Sequence, residues 1–167
     1  MESTYYFIIV GVLLFEYALS TISSTLNMNS ITEDIPDGFQ DYYDKDKYAK
    51  SQSYLKDKTR FGLFTGTFSL CITLVIIHAG LFGLLDDFVR AYSNHYITSG
   101  LLFFGTLFIL NDIINLPFSI YGTFVIEEKY GFNKTTWRTF VSDKLKGYGL
   151  TIVLGSTVMV PLLYFFE

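Results

Sequence analysis

The side chains able to do chemistry in this chain are few, and most sit inside apolar runs. Glu16 is the one acid in a stretch, Phe7 to Leu19, that is otherwise uncharged. A charged group at mid-membrane depth costs about 2.5–3.5 kcal/mol on insertion scales, so such a residue faces a bundle interior or a wet cavity, or is protonated and hydrogen-bonded. Cavity lining or polar packing is the favoured role for Glu16, ahead of catalysis. His78 lies in a second apolar run, where proton transfer or metal binding is open to it. Its companions are badly placed, because His95 follows 17 residues later and Cys71 precedes it by two turns. Tetrahedral zinc needs three or four protein ligands held together, so a structural histidine is the stronger reading. Asn111, Asp112 and Asn115 close a third run just before Leu116-Pro117. Asn111 and Asn115 are four apart and share a helix face. Pro117 lacks a donor and disfavours helix before it, which predicts a kink or an end there. The amides can satisfy the freed carbonyls or line a cavity. No H-E-x-x-H, P-loop, nucleophile elbow or dinucleotide glycine motif occurs. These residues assemble no catalytic, metal-binding or cofactor-binding set.

The elements that position those groups follow from hydropathy. Half of the 167 residues are hydrophobic and 17% are charged, against about 25% charged in soluble domains. The charges avoid four windows, each near the roughly 20 residues of helix that a bilayer core requires. The pattern predicts an all-α, multi-span transmembrane protein with about four membrane helices plus a short amphipathic one. The predicted spans are about 5–26, 61–85, 96–116 and 149–166, separated by polar loops of about 27–60 and 117–148. Gly62 and Gly66 form a small-x-x-x-small pair, a weak sign of close helix approach. Within 135–146, Trp137, Phe140, Val141 and Leu145 recur at helical spacing. That segment reads as a short amphipathic helix, either at the lipid interface or packed on another part of the protein.

Charge also gives an orientation. Lys45, Lys47, Lys50, Lys56, Lys58 and Arg60 lie in the first loop, and Lys129, Lys134, Arg138, Lys144 and Lys146 in the second. Arg90 is the remaining one of the 12 basic residues. The positive-inside rule makes both basic loops cytoplasmic and sends the N-terminus outward or into the lumen. Asn133-Lys134-Thr135 is a sequon that this topology leaves unmodified. The net charge of -4 implies no nucleic-acid partner. One cysteine permits no disulfide framework. Met1 to Thr4 carries no basic residue, which argues against a signal peptide.

The stretch from Leu116 to Asn133 is similar to a family pattern, L-P-x-S-x-Y-x-T-F-V-I-E-E-K-x-G-F-N. It matches at Pro117, Ser119, Tyr121, Thr123, Phe124, Glu127, Glu128, Lys129, Gly131, Phe132 and Asn133. Lys50 to Lys58 looks like a second pattern, K-S-x-x-Y-x-x-D-K, and Phe15-Glu16 like a Trp-Glu or Phe-Glu pair. Together, in this order, they resemble the N-terminal membrane region of the type I CAAX prenyl proteases.

The resemblance implies a multi-span zinc metalloendopeptidase that removes the last three residues of prenylated proteins. It implies helices around a water-filled chamber, with Glu16, His78, Asn111, Asp112 and Asn115 as polar groups that could line it. It also implies an endoplasmic reticulum membrane in a eukaryote, or a plasma or inner membrane in a prokaryote. The family's zinc ligands and general base lie C-terminal to the matched region, so no catalytic or metal residue carries over to this chain. The expectation is an N-terminal part, inactive alone, whose partners are the bilayer, prenylated proteins or peptides, and a C-terminal catalytic part. The alternatives are a non-catalytic assembly or lipid-peptide-binding module and, less favoured, a small transporter.

Overall fold

The computed structural model describes residues 2–166, which form helices and the links between them, with no strand among them. In chain order these are α1 (Glu2–Asn29), α2 (Lys45–His78), α3 (Leu81–Tyr92), α4 (Tyr96–Tyr121), a π-helical turn (Gly122–Glu127) and α5 (Trp137–Phe166). Four helices are long and apolar enough to cross a membrane: Thr4–Asn29, Lys45–His78, Tyr96–Glu127 and Trp137–Phe166. Among the described residues only Val89, Ile126, Tyr130 and Leu163 are buried hydrophobics, while large apolar side chains are exposed along every helix. A water-soluble fold does the reverse. The multi-span, all-α architecture expected from hydropathy is the one observed.

The helix boundaries depart from expectation in physically instructive ways. The charged segment 45–60 is helix rather than loop. Asp44 accepts the Lys47 backbone N–H at 3.0 Å and caps α2, and nothing from Lys45 to Arg60 breaks a helix. At its other end α2 stops at His78 instead of running to Leu85, because Gly80 takes a left-handed conformation (φ 66°, ψ 24°) that glycine adopts without steric cost. α4 passes through Pro117 without ending, since a proline removes one ladder bond and leaves the others intact. The Asn115 amide does bond a carbonyl, that of Asn111 at 2.7 Å. The segment 135–146 is no separate helix. Thr136 caps α5 by accepting the Thr139 N–H at 3.2 Å, and the helix continues through Gly147 and Gly149 to Phe166. The short amphipathic helix is α3 instead.

The described residues fall into two compact units. The first holds α1, α2 and Ile120–Asn133. Here Tyr17 and Thr67 share a hydroxyl hydrogen bond of 2.7 Å, and Tyr6 lies 3.3 Å from His78 Nδ1. A groove of about 290 Å³ between α1 and α2 is lined by Tyr17, Ser20, Thr21 and Ser24 opposite Gly62 and Gly66. A Cβ on either glycine would meet nothing within 4 Å, so this pair lines an open groove and makes no tight crossing. The second unit spans Ala79–Ser119 and Lys134 onward. Its close approach is elsewhere: a Cβ on Gly100 of α4 would fall 2.7 Å from Leu163 Cδ1 of α5.

Gly100→Val is therefore expected to overpack the α4–α5 contact, at about 1–3 kcal/mol. Its melting temperature in detergent should fall, and Leu163→Ala in the same chain should recover part of the loss. A Gly100→Val protein as stable as the parent would show that this contact is not formed.

Candidate functional site

The two sequence patterns, 72 residues apart at their closest pairing, meet in the first unit. The meeting starts from a helix end. The π turn closes with Gly131 at φ 65°, while the Gly131 N–H donates to Glu128 O and the Phe132 N–H to Glu127 O, both at 2.9 Å. This is the Schellman arrangement, which needs a left-handed residue at the position after the cap. The Asn133 side-chain amide closes the turn on Glu128 at 2.9 Å.

The turn presents Lys129, Tyr130 and Phe132 to α2. Asp57 receives Lys129 Nζ at 2.6 Å and the Tyr130 hydroxyl at 2.7 Å. Tyr54 meets the rings of Tyr130 and Phe132 edge-on, with centroids at 5.5 and 4.9 Å. Lys50 Nζ sits 5.7 Å above Phe132, and the Phe61 and Tyr121 rings are 5.0 Å apart. The Asp57 carboxylate raises the pKa of Lys129 above that of an ordinary lysine, and it also raises that of Tyr130. A group whose folded pKa is raised stabilises the fold below its unfolded pKa and stops doing so as pH rises through the folded one. The Lys129 contribution is thus intact at neutral pH and lost only in alkali.

A second carboxylate repeats the chemistry in the other unit. Asp112 of α4 accepts hydrogen bonds from Lys144 Nζ and the Tyr148 hydroxyl of α5. Phe108 packs edge-on to Tyr148 with centroids 6.2 Å apart. Asn111 and Asn115 pair with each other at 3.1 Å and are exposed. Glu16 is exposed and has no hydrogen-bond partner among the described residues. His78 meets Tyr6 and no acid. Of the polar intramembrane candidates, then, only the two asparagines contact each other. The sequence reading did not single out Asp57, Tyr54, Lys144 or Tyr148 as site residues. Asp57 and Tyr54 lay inside a recognised pattern, whereas nothing in the sequence links Lys144 or Tyr148 to Asp112.

A model of the CAAX prenyl protease N-terminal region, described as having five membrane helices, matches residues 24–167. The chain belongs to that family. Among similar proteins, the "Probable CAAX prenyl protease 1" of Schizosaccharomyces pombe is 39% identical over 132 residues, which is 71% of this chain and 28% of that protein. The "CAAX prenyl protease 1" of Saccharomyces cerevisiae is 32% identical over 142 residues, or 79% of this chain and 30% of that protein. The crystal structure of Ste24p from S. mikatae superposes with a TM-score of 0.83 at 27% identity, covering 96% of this chain and 38% of that one. The chain spans under a third of the length of these two curated relatives.

The family resemblance implies zinc, and the residues present do not fit it. Among the described residues no three His, Cys, Asp or Glu side chains are grouped as a metal ion requires. What the residues build here is a helix-to-helix clamp of one carboxylate, two donors and three rings.

Phe132→Ala removes an aromatic contact of about 0.5–1.5 kcal/mol, so amide exchange across 127–133 should quicken roughly two- to tenfold. Asp57→Ala should quicken it further, and Lys129→Ala should add little on top of Asp57→Ala. Unchanged exchange in Asp57→Ala would remove the clamp from the native state.

Proposed function

We propose that residues 1–167 form the N-terminal membrane part of a zinc metalloendopeptidase that removes the C-terminal tripeptide from prenylated proteins. The observation that carries this reading is the docking of Lys129, Tyr130 and Phe132 on Lys50, Tyr54 and Asp57. It joins the two patterns of the resemblance in one clamp, within a fold that superposes on Ste24p. On this reading the zinc ligands lie outside these residues, which by themselves hydrolyse nothing.

The bilayer crossings fall within about 5–26, 61–78, 96–116 and 149–166. The basic segments face the cytosol, the N-terminus faces the lumen, and the membrane is that of the endoplasmic reticulum. Glu16, exposed and unpartnered among the described residues, faces water inside the assembled protease. His78 in the first unit, and Asn111 and Asn115 in the second, are further polar groups of the membrane part, with Asp112 given over to helix pairing. The natural partners are a C-terminal catalytic part and prenylated protein or peptide substrates.

Two experiments test the reading. Residues 1–167 in proteoliposomes with added zinc should release no tripeptide from a prenylated CAAX peptide. A chimaera carrying them in place of the matching region of the Saccharomyces cerevisiae relative should release it. Hydrolysis by residues 1–167 alone, or an inserted and folded chimaera that fails to cut, would overturn the assignment. For topology, Asn133 should carry no glycan in a eukaryotic host, while a sequon in an added N-terminal extension should be glycosylated. The opposite pattern would invert the orientation.

A further inference from the structure

The helix whose residues the sequence reading divided between the end of the second span and the segment after it has the most strongly two-sided pattern in the chain. α3 runs Leu81–Tyr92. Leu81, Leu84, Phe88 and Tyr92 recur at i, i+3, i+7 and i+11, which is one stripe of a helix. That stripe is bare: Leu84 is 62% exposed, Phe88 60% and Tyr92 75%. The opposite side carries Asp86 and Arg90, joined at 2.8 Å. Val89, on the flank between them, is buried at 4%, so α3 is already packed along one edge and its apolar stripe points away from that packing.

We infer that α3 is an in-plane membrane helix whose Leu81–Leu84–Phe88–Tyr92 stripe lies at the boundary between phospholipid headgroups and acyl chains. Connectivity identifies the occupant. Ala79–Gly80 ties α3 to the end of α2, and Ser93–His95 ties it to the start of α4. Links of two and three residues keep both its ends within about 15 Å of membrane-crossing helices, so the stripe is continuous with a surface already in lipid. Length sets the depth. Twelve residues of helix extend about 18 Å, too short for a core of about 30 Å. Asp86 and Arg90 line a cavity with Tyr96, Ser99 and Leu163 of α4 and α5, exposed Asp87 holds the remaining side at the polar boundary, and Tyr92 is an amphipathic ring of the kind enriched there.

The test uses the whole chain in phosphatidylcholine proteoliposomes. Trp137 is the sole tryptophan, so Phe88→Trp in a Trp137→Phe background gives one reporter on the stripe, and Leu84→Trp gives a second. Asp87→Trp reports on the polar side. Lipids brominated high on the acyl chain should abolish most emission from the two stripe reporters. Lipids brominated near the chain end should quench them much less, and aqueous acrylamide hardly at all. The Asp87→Trp reporter should show the reverse, losing its emission to acrylamide. Quenching of both stripe reporters by acrylamide alone would place the stripe in water. Quenching by neither agent would place it against protein, including a second copy of the chain. Preferential quenching by the deep bromines would make α3 an inserted segment. Each of these three outcomes overturns the inference.

Discussion

A peptide group placed in hydrocarbon has no water to bond, so every backbone N–H and C=O there must find a partner inside the chain. That constraint explains the long helices here and why they outlast the residues that would stop a helix in water. Pro117 and Pro161 both sit inside helices. Ending α4 at Pro117 would unpair several groups, whereas continuing through it unpairs one. Gly147 and Gly149 likewise fail to break α5, though each costs about 1 kcal/mol against alanine in an isolated helix.

The same solvent removes the usual cause of compaction. Lipid tails are as apolar as leucine, so helices gain little by hiding apolar faces from them. With four buried hydrophobics among the described residues, cohesion falls to polar contacts and to small residues that let backbones approach. Asp57 and Asp112 show one solution used twice. Each carboxylate takes a lysine ammonium and a tyrosine hydroxyl from a segment that lies elsewhere in sequence. An ionised carboxylate has lone pairs for both donors at once, and losing one donor leaves a charge poorly compensated. Gly100 against Leu163 is the apolar counterpart.

Hydropathy made the number and rough position of the long helices legible, because about 20 apolar residues leave few alternatives. Helix ends were less legible. Capping and left-handed turns, at Asp44, Gly80 and Thr136, act through single residues that hydropathy averages away. The amphipathic element was assigned to 135–146 from Trp137, Phe140, Val141 and Leu145, yet these belong to the first turns of a 30-residue helix. Leu81 to Tyr92 carries the pattern on a helix of its own, hidden because its apolar stripe merged with the end of the second span. The clamp was half legible: both partners stood in recognised patterns, but a linear sequence gives no measure of which patterns touch. The Asp112 contact was illegible, because Lys144 was read on a short amphipathic helix and Tyr148 at the end of a loop, with nothing to join either to the third span.

The family pattern around Glu127–Asn133 is accounted for largely by mechanics. Gly131 supplies the one backbone conformation that lets the turn close, Glu127 and Glu128 give carbonyls to it, and Asn133 ties its side chain back to Glu128. With the chain reversed there, Lys129, Tyr130 and Phe132 reach α2 together, although they would point to different sides of a continuing helix. A substitution at Gly131 would therefore disturb all three contacts at once without touching any of the groups that make them. The pattern is long because a turn, its closure and its docking partners are each specified separately, and not because each residue does chemistry. Glu127 is the exception. Its carbonyl closes the turn, but its carboxylate has no hydrogen-bond partner among the described residues. Like Glu16, it is an acid in a family-matched position that the clamp does not use, whereas Glu128, Lys129, Gly131, Phe132 and Asn133 each have a part in the turn or its docking.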